Sequence, residues 1–142
     1  MALGRRKLLL IGGGVVCVHA IGCGGMETIN LDASIPAGLS TDVQPNTLTP
    51  VAGKHVAIGR DGGGIYAMTL VCTHSGCDIA GGAVSFAGLV CPCHGSRYNN
   101  QGQVTLGPAP RSLNHLQVTK DASNQMTIHG DTVVASTERL PV

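Results

Sequence analysis

Short runs in which apolar and polar residues alternate recur from about residue 50 to the C-terminus, each bounded by turn-forming residues. His55 to Arg60 and Ile65 to Val71 flank Asp61-Gly62-Gly63-Gly64, which reads as a hairpin. Ala83 to Phe86 and Leu89 to Val90 flank Ala87-Gly88. Leu116 to Thr119 and Met126 to His129 flank a polar turn at Asp121 to Asn124, and Thr132 to Val134 adds a last strand. A period of two is the signature of half-buried antiparallel strands. No heptad, internal repeat or long helical pattern appears, so the sequence predicts an all-β fold of small antiparallel sheets. Gly24 to Pro50 has no sustained periodicity and reads as a tether followed by an irregular opening strand.

Composition narrows the function classes. With a formal net charge of +1 and 12% charged residues, the chain has no electrostatic case for binding nucleic acid. The 142 residues include 21 glycines and no tryptophan, which suits loops and a modest core. A core of that size calls for covalent or metal staples.

Such staples are at hand in two boxes, Cys72-Thr73-His74-Ser75-Gly76-Cys77 and Cys91-Pro92-Cys93-His94-Gly95-Ser96-Arg97-Tyr98-Asn99. They place Cys72-x-His74, sixteen intervening residues, then Cys91-x-x-His94. Two thiolates and two imidazoles in this order suit a [2Fe–2S] centre with mixed ligands, in which neutral imidazoles leave the cluster less negative and easier to reduce. A structural zinc site would accept the same ligand types, although common zinc spacings pair Cys with Cys and His with His. Zinc also leaves Cys77 and Cys93 unexplained.

The double box resembles that of the Rieske iron–sulfur proteins, in the high-potential branch found with cytochrome bc-type complexes. The resemblance covers roughly residues 50 to 130 and extends to Gly95, Ser96, Tyr98 and a proline loop at Gly107-Pro108-Ala109-Pro110. It implies that Cys72 and Cys91 bind one iron, that His74 and His94 bind the other, and that Cys77–Cys93 is a disulfide flanking the cluster. Ser96 and Tyr98 match positions that donate hydrogen bonds to a bridging sulfide and to the sulfur of Cys72. Such bonds stabilise the reduced state and raise the potential. The resemblance further implies electron transfer from quinol, with His94 as the candidate proton and electron acceptor, to a c-type cytochrome beside cytochrome b. In that setting the chain is the redox subunit of a quinol–cytochrome c oxidoreductase. Family members usually carry leucine where this chain has Ser75, which removes apolar contact at the quinone-facing surface. The alternative is a stand-alone periplasmic carrier, or the small subunit of another respiratory oxidoreductase resembling arsenite oxidase.

Arg5-Arg6-Lys7 before the apolar stretch Leu8 to Ile21 has the layout of an export signal, and the paired arginines resemble the twin-arginine type. That stretch is short beside the roughly 20 residues of a membrane span. It ends in Ala20-Ile21-Gly22-Cys23, which resembles a lipobox and makes Cys23 the expected lipidation site of a membrane-anchored lipoprotein. An uncleaved anchor helix is the competing reading. Of the six cysteines, Cys17 would leave with the signal, and no thiol is left over. The expected organisation is a signal or anchor over 1–22, a lipidated cysteine and tether over 23–50, and the cluster domain over 51–142. Either reading puts that domain on the periplasmic side of a bacterial membrane, where a disulfide persists. His55, His115 and His129 have no partner at ligand spacing and are assigned surface or satisfied positions.

Overall fold

A computed structural model describes residues 29–142. The expected signal or anchor at 1–22 and the expected lipidation site Cys23 lie outside those residues. Ten strands follow in chain order: β1 (Ile35–Leu39), β2 (Thr47–Val51), β3 (Val56–Asp61), β4 (Gly64–Thr69), β5 (Ala83–Ser85), β6 (Gly88–Val90), β7 (Arg97–Tyr98), β8 (Val104–Leu106), β9 (His115–Lys120) and β10 (Gln125–Val134). They form a six-stranded sheet in the order β1-β10-β9-β4-β3-β2 and a four-stranded sheet in the order β5-β6-β7-β8. All pairings are antiparallel. The all-β expectation and its three hairpins are therefore borne out. Among the described residues no helix is long and apolar enough to cross a membrane.

Two stretches differ from expectation. The segment expected to be irregular carries two regular strands, β1 and β2, at opposite edges of the large sheet. An edge strand needs partners on one side alone, so it tolerates Pro36, Gly38 and Pro50, the residues that break its sequence pattern. The expected separate strand at Thr132 to Val134 is instead the far end of β10, whose register slips between His129 and Val133. Gly130 lies inside that slip. A Cβ there would meet the Asp32 carbonyl oxygen at 2.3 Å, so glycine is what lets the opening segment cross β10.

The large sheet separates two cores because its central strand has no polar face. In β4, Ile65 and Ala67 enter one core with Val56, Leu116 and Ile128. The alternate residues Tyr66 and Met68 enter the other, beneath the two boxes, with Leu70, Leu89 and Leu113. Burial on both faces erases the polar alternation expected of a sheet with one wet side.

The C-terminal arm closes one end of this sheet. Ile65 and Leu140 exchange backbone hydrogen bonds of 3.0 and 2.8 Å. Beside them the Arg139 guanidinium donates to Asp61 through Nε and Nη2, each 2.9 Å or less from Oδ2, and lies 4.5 Å from the Tyr66 ring centroid. The ion pair is largely desolvated, with side-chain exposures of 14% and 20%. Arg139 first, then the Gly63 N–H and Gln101, hold the Asp61 carboxyl below its ordinary range against the opposing effect of burial. Burial pushes the Tyr66 hydroxyl up to about 12. His115, assigned a satisfied position, donates from Nε2 to the Gln101 carbonyl at 2.9 Å but keeps Nδ1 buried with no partner.

Replacing Arg139 with Ala should cost about 2 kcal/mol of unfolding free energy at neutral pH, the scale of a partly buried charged hydrogen-bonded pair. Because Asp61 is more acidic when folded, this stabilisation is full above the unfolded carboxyl pKa near 4 and disappears as pH falls through the lower folded value. Urea titrations of both proteins should therefore differ most at pH 7, with the gap narrowing as the pH falls below about 4.

Candidate metal centre

The two boxes fold into six-residue loops, Cys72–Cys77 and Cys91–Ser96, of the same hydrogen-bonding plan. In the first, the Gly76 N–H donates to the Cys72 carbonyl at 2.8 Å and the Cys72 N–H donates to the Cys77 carbonyl at 2.8 Å. In the second, the Gly95 N–H donates to the Cys91 carbonyl at 3.1 Å and the Cys91 N–H donates to the Ser96 carbonyl at 2.8 Å. The fourth residue after each cysteine closes the turn in a left-handed conformation, φ 76° at Gly76 and 73° at Gly95, which glycine adopts without strain. Each loop leads a cysteine inward and a histidine outward.

The outcome is a vertical division of the site. Cys72 and Cys91 take part in no disulfide and lie in the core beneath the loops, each 2% exposed. His74 and His94 stand exposed above them with ring centroids 4.7 Å apart and planes at 87°. Backbone N–H groups converge on the sulfurs, from His74 on Cys72 and from Cys93 and His94 on Cys91. Burial opposes ionisation of the Cys72 thiol, yet the hydrogen bonds from Tyr98, the His74 N–H, Cys91 and Ser96 outweigh it and leave that thiol more acidic than usual. Burial, and then the neighbouring Cys72 sulfur, push the Cys91 thiol up. Two buried sulfurs lined with N–H donors, beneath two imidazole edges, fit a metal centre that supplies positive charge where the protein supplies none.

Tyr98 and Ser96 complete the surroundings of the sulfurs. The Tyr98 hydroxyl lies 3.3 Å from Cys72 Sγ and accepts the Thr73 N–H at 3.3 Å. Burial first, then the Cys72 sulfur, keep that hydroxyl above the ordinary phenol range, so it stays an O–H donor. Ser96 is fully buried, and its Oγ accepts the Ala109 N–H at 3.0 Å, which leaves its own proton to donate toward the sulfurs. That bond also moors the proline loop. Two residues escaped the sequence reading. Thr73 Oγ1 donates to the Arg111 carbonyl at 2.7 Å and ties the first box to the end of the proline loop. Asp78 caps the 3-10 turn Ile79–Gly81 through the Ala80 N–H and pairs with His55 Nδ1 at 2.7 Å. An acidic residue just before a turn was the one available signal for Asp78; Thr73 had none beyond its place between two ligand types.

Cys77 and Cys93 form a disulfide with Cα atoms 6.5 Å apart. It joins the last residue of the first loop to the middle of the second, so the two loops cannot separate.

Paired inner thiols under paired outer imidazoles, on a small all-β frame, define an iron–sulfur domain. A family model described as the Rieske [2Fe-2S] domain matches residues 33–130. The chain is 43% identical over 82 residues to the chloroplastic cytochrome b6-f complex iron-sulfur subunit of Oryza sativa subsp. japonica, a match spanning 58% of this chain and 32% of that protein. It is 37% identical over 110 residues to the cytochrome b6-f complex iron-sulfur subunit of a Cyanothece species, spanning 72% of this chain and 55% of that one. Among solved structures, a quaternary ammonium Rieske monooxygenase in complex with L-carnitine shares the fold, with a TM-score of 0.53 at 22% identity over 70% of this chain and 32% of that one. The chain thus spans about a third to a half of the length of these curated relatives. It belongs to the Rieske family, and its cofactor is a [2Fe–2S] cluster.

A disulfide closing a separation of 16 residues is worth roughly 3 kcal/mol of chain entropy. Replacing both Cys77 and Cys93 with Ser should lower stability by about that amount and speed cluster loss. The check is the decay of visible absorbance in excess chelator; an unchanged half-life would contradict the stapling role.

Proposed function

We propose that the chain is the electron-transfer subunit of a cytochrome bc-type complex, taking electrons from a quinol and passing them to a c-type cytochrome. In this reading Cys72 and Cys91 hold one iron and His74 and His94 the other. The cluster, when bound, takes up and releases one electron. What the chain contributes is position, insulation and tuning.

The observation that carries the reading is the exposed pair His74 and His94, standing on a tip that is almost free of charge. The neighbouring Ser75, Gly76, Pro92, Gly95, Gly107 and Pro108 are uncharged, and Arg111 is the one ion among residues 107–112. A surface of that kind can be desolvated against an apolar pocket at little electrostatic cost. The outward edge of His94 receives the hydrogen bond of a quinol hydroxyl, while the buried thiols below stay shielded from water. The relatives' assignment to a b6-f complex supports the same partners. A periplasmic membrane anchor, through lipid at Cys23 or through an uncleaved N-terminal helix, fits this role.

A second reading rests on Ser75. Its Oγ lies 3.5 Å from His94 Nδ1, so the tip carries a hydroxyl where an apolar side chain would fill a quinone pocket. That favours a stand-alone carrier whose donor is a protein. Membranes containing the full-length chain and its cytochrome b separate the two readings. Rapid reduction of the cluster by added quinol, accelerated by Ser75→Leu, supports the proposal. Reduction by soluble redox proteins alone, with no response to quinol, would replace it with the carrier.

Ser96→Ala and Tyr98→Phe should each keep the cluster yet lower its midpoint potential by on the order of tens of millivolts, as hydrogen bonds favouring the reduced state are removed. His74→Ala or His94→Ala should abolish the signal of a histidine-ligated cluster in electron paramagnetic resonance. Zinc in place of iron in the purified wild type would refute the assignment of the ligands.

A further inference from the structure

Tyr98 meets the Cys72 sulfur from β7, a strand of two residues whose pairing to β8 is irregular at that point. So short a strand leaves the exact placement of the Tyr98 hydroxyl to its burial in the core, its pairing with Leu89 and the turn that follows. The chain then makes a turn over residues 99–103 that is closed upon itself. Asn99 Oδ1 accepts the N–H groups of Gln101 and Gln103 at 2.9 and 3.0 Å, and the Asn99 N–H donates to the Gln103 carbonyl at 2.9 Å. A turn so closed moves as one piece, and Tyr98 moves with it.

What holds this turn from outside comes from the large sheet and the C-terminal arm. The Tyr66 hydroxyl donates to the Asn100 carbonyl at 2.8 Å, and His115 Nε2 donates to the Gln101 carbonyl at 2.9 Å. Gln101 is gripped by its side chain as well: Nε2 donates to Asp61 Oδ2 at 3.3 Å, and Oε1 accepts from Arg139 Nη2. One guanidinium therefore binds Asp61, covers Tyr66 and takes the Gln101 amide, in a setting where its own side chain is 14% exposed. Apart from the Leu113 N–H, which donates to the Gly102 carbonyl at 2.8 Å, the outside hydrogen bonds of the turn are made by Arg139 itself, by a partner of Arg139, or by His115, which stacks on Tyr66 at 5.7 Å.

We infer that Arg139, acting through Gln101, is a positioning residue for the Tyr98 hydroxyl, so that the C-terminal arm helps set the reduction potential of a centre it does not touch. This rests on the reading that Tyr98 tunes the cluster through Cys72. A hydrogen bond to sulfur at 3.3 Å weakens when its donor is displaced or tilted, and freeing the turn allows that displacement. Gln101 is the separable link, because removing its amide leaves the Arg139–Asp61 pair and the Ile65–Leu140 bridge in place.

The test is a potentiometric titration, followed by electron paramagnetic resonance, on the full-length cluster-loaded chain. Gln101→Ala, Arg139→Lys and Arg139→Ala are each measured alone and combined with Tyr98→Phe. The inference expects Gln101→Ala and Arg139→Lys to lower the potential by part of the Tyr98→Phe shift, and to add nothing once Tyr98 is phenylalanine. If Arg139→Ala fails to fold, Gln101→Ala decides alone. Wild-type potentials in the Gln101 and Arg139 variants, beside a lowered one in Tyr98→Phe, would leave the arm a purely structural element and overturn the inference. Equal shifts with and without the Tyr98 hydroxyl would overturn it too, by showing an effect that bypasses that group. An unshifted Tyr98→Phe would sink the tuning role and this inference together.

Discussion

In the proposed ligand set, two sulfurs that carry negative charge sit where almost no water reaches them. Cys72 and Cys91 are almost fully buried, and an isolated buried thiolate is expensive. Much of the architecture above the large sheet answers that cost. Backbone N–H groups of His74, Cys93 and His94 turn toward the sulfurs, Tyr98 and Ser96 bring hydroxyls, and the cluster's irons bring the positive charge. The two thiols are not equal in this respect: hydroxyl donors favour Cys72, whereas Cys91 relies on main-chain donors alone.

The frame explains how such loops are held still. A central strand buried on both faces gives one core to the fold and another to the site, so the floor under the thiols is part of the large sheet itself. From that floor Tyr66, Met68 and Leu70 rise to the boxes. Side links then fix the edges of the loops: His55 to Asp78 beside the first, Ser96 to Ala109 behind the second, Thr73 to Arg111 across the proline loop. Small sheets with little hydrophobic area gain rigidity through such cross-links and through the disulfide.

Most of this was legible in the chain because its signals are local. Hairpins announce themselves by alternation around Gly-rich or polar turns, and the two boxes set four candidate ligands of two types and a cysteine pair within 28 residues. The edge strands β1 and β2 were not legible, since Pro36, Gly38 and Pro50 are breakers that an edge forgives and a sequence pattern does not. Nor was the slip in β10, which exists because a distant segment crosses at Gly130. The arm escaped for the same reason: Arg139 and Asp61 are 78 residues apart, and no periodicity links them. The unpartnered nitrogen of His115 belongs with these, since only the packed structure shows that its ring is buried.

The disulfide sits close to a thiol it must never meet chemically. The sulfurs of Cys77, Cys91 and Cys93 all lie within 4.8 Å of one another. A free thiolate at that range is a resident nucleophile, and exchange would pass the bond to Cys91 while releasing one of its present owners as a thiol. The swapped isomer is useless for metal binding, because it consumes an inner ligand. Burial, which pushes the Cys91 thiol up, disfavours the attacking thiolate, and in the proposed ligand set bonding to iron occupies that sulfur. In the proposed ligand set, iron on Cys91 thus also shields the Cys77–Cys93 bond.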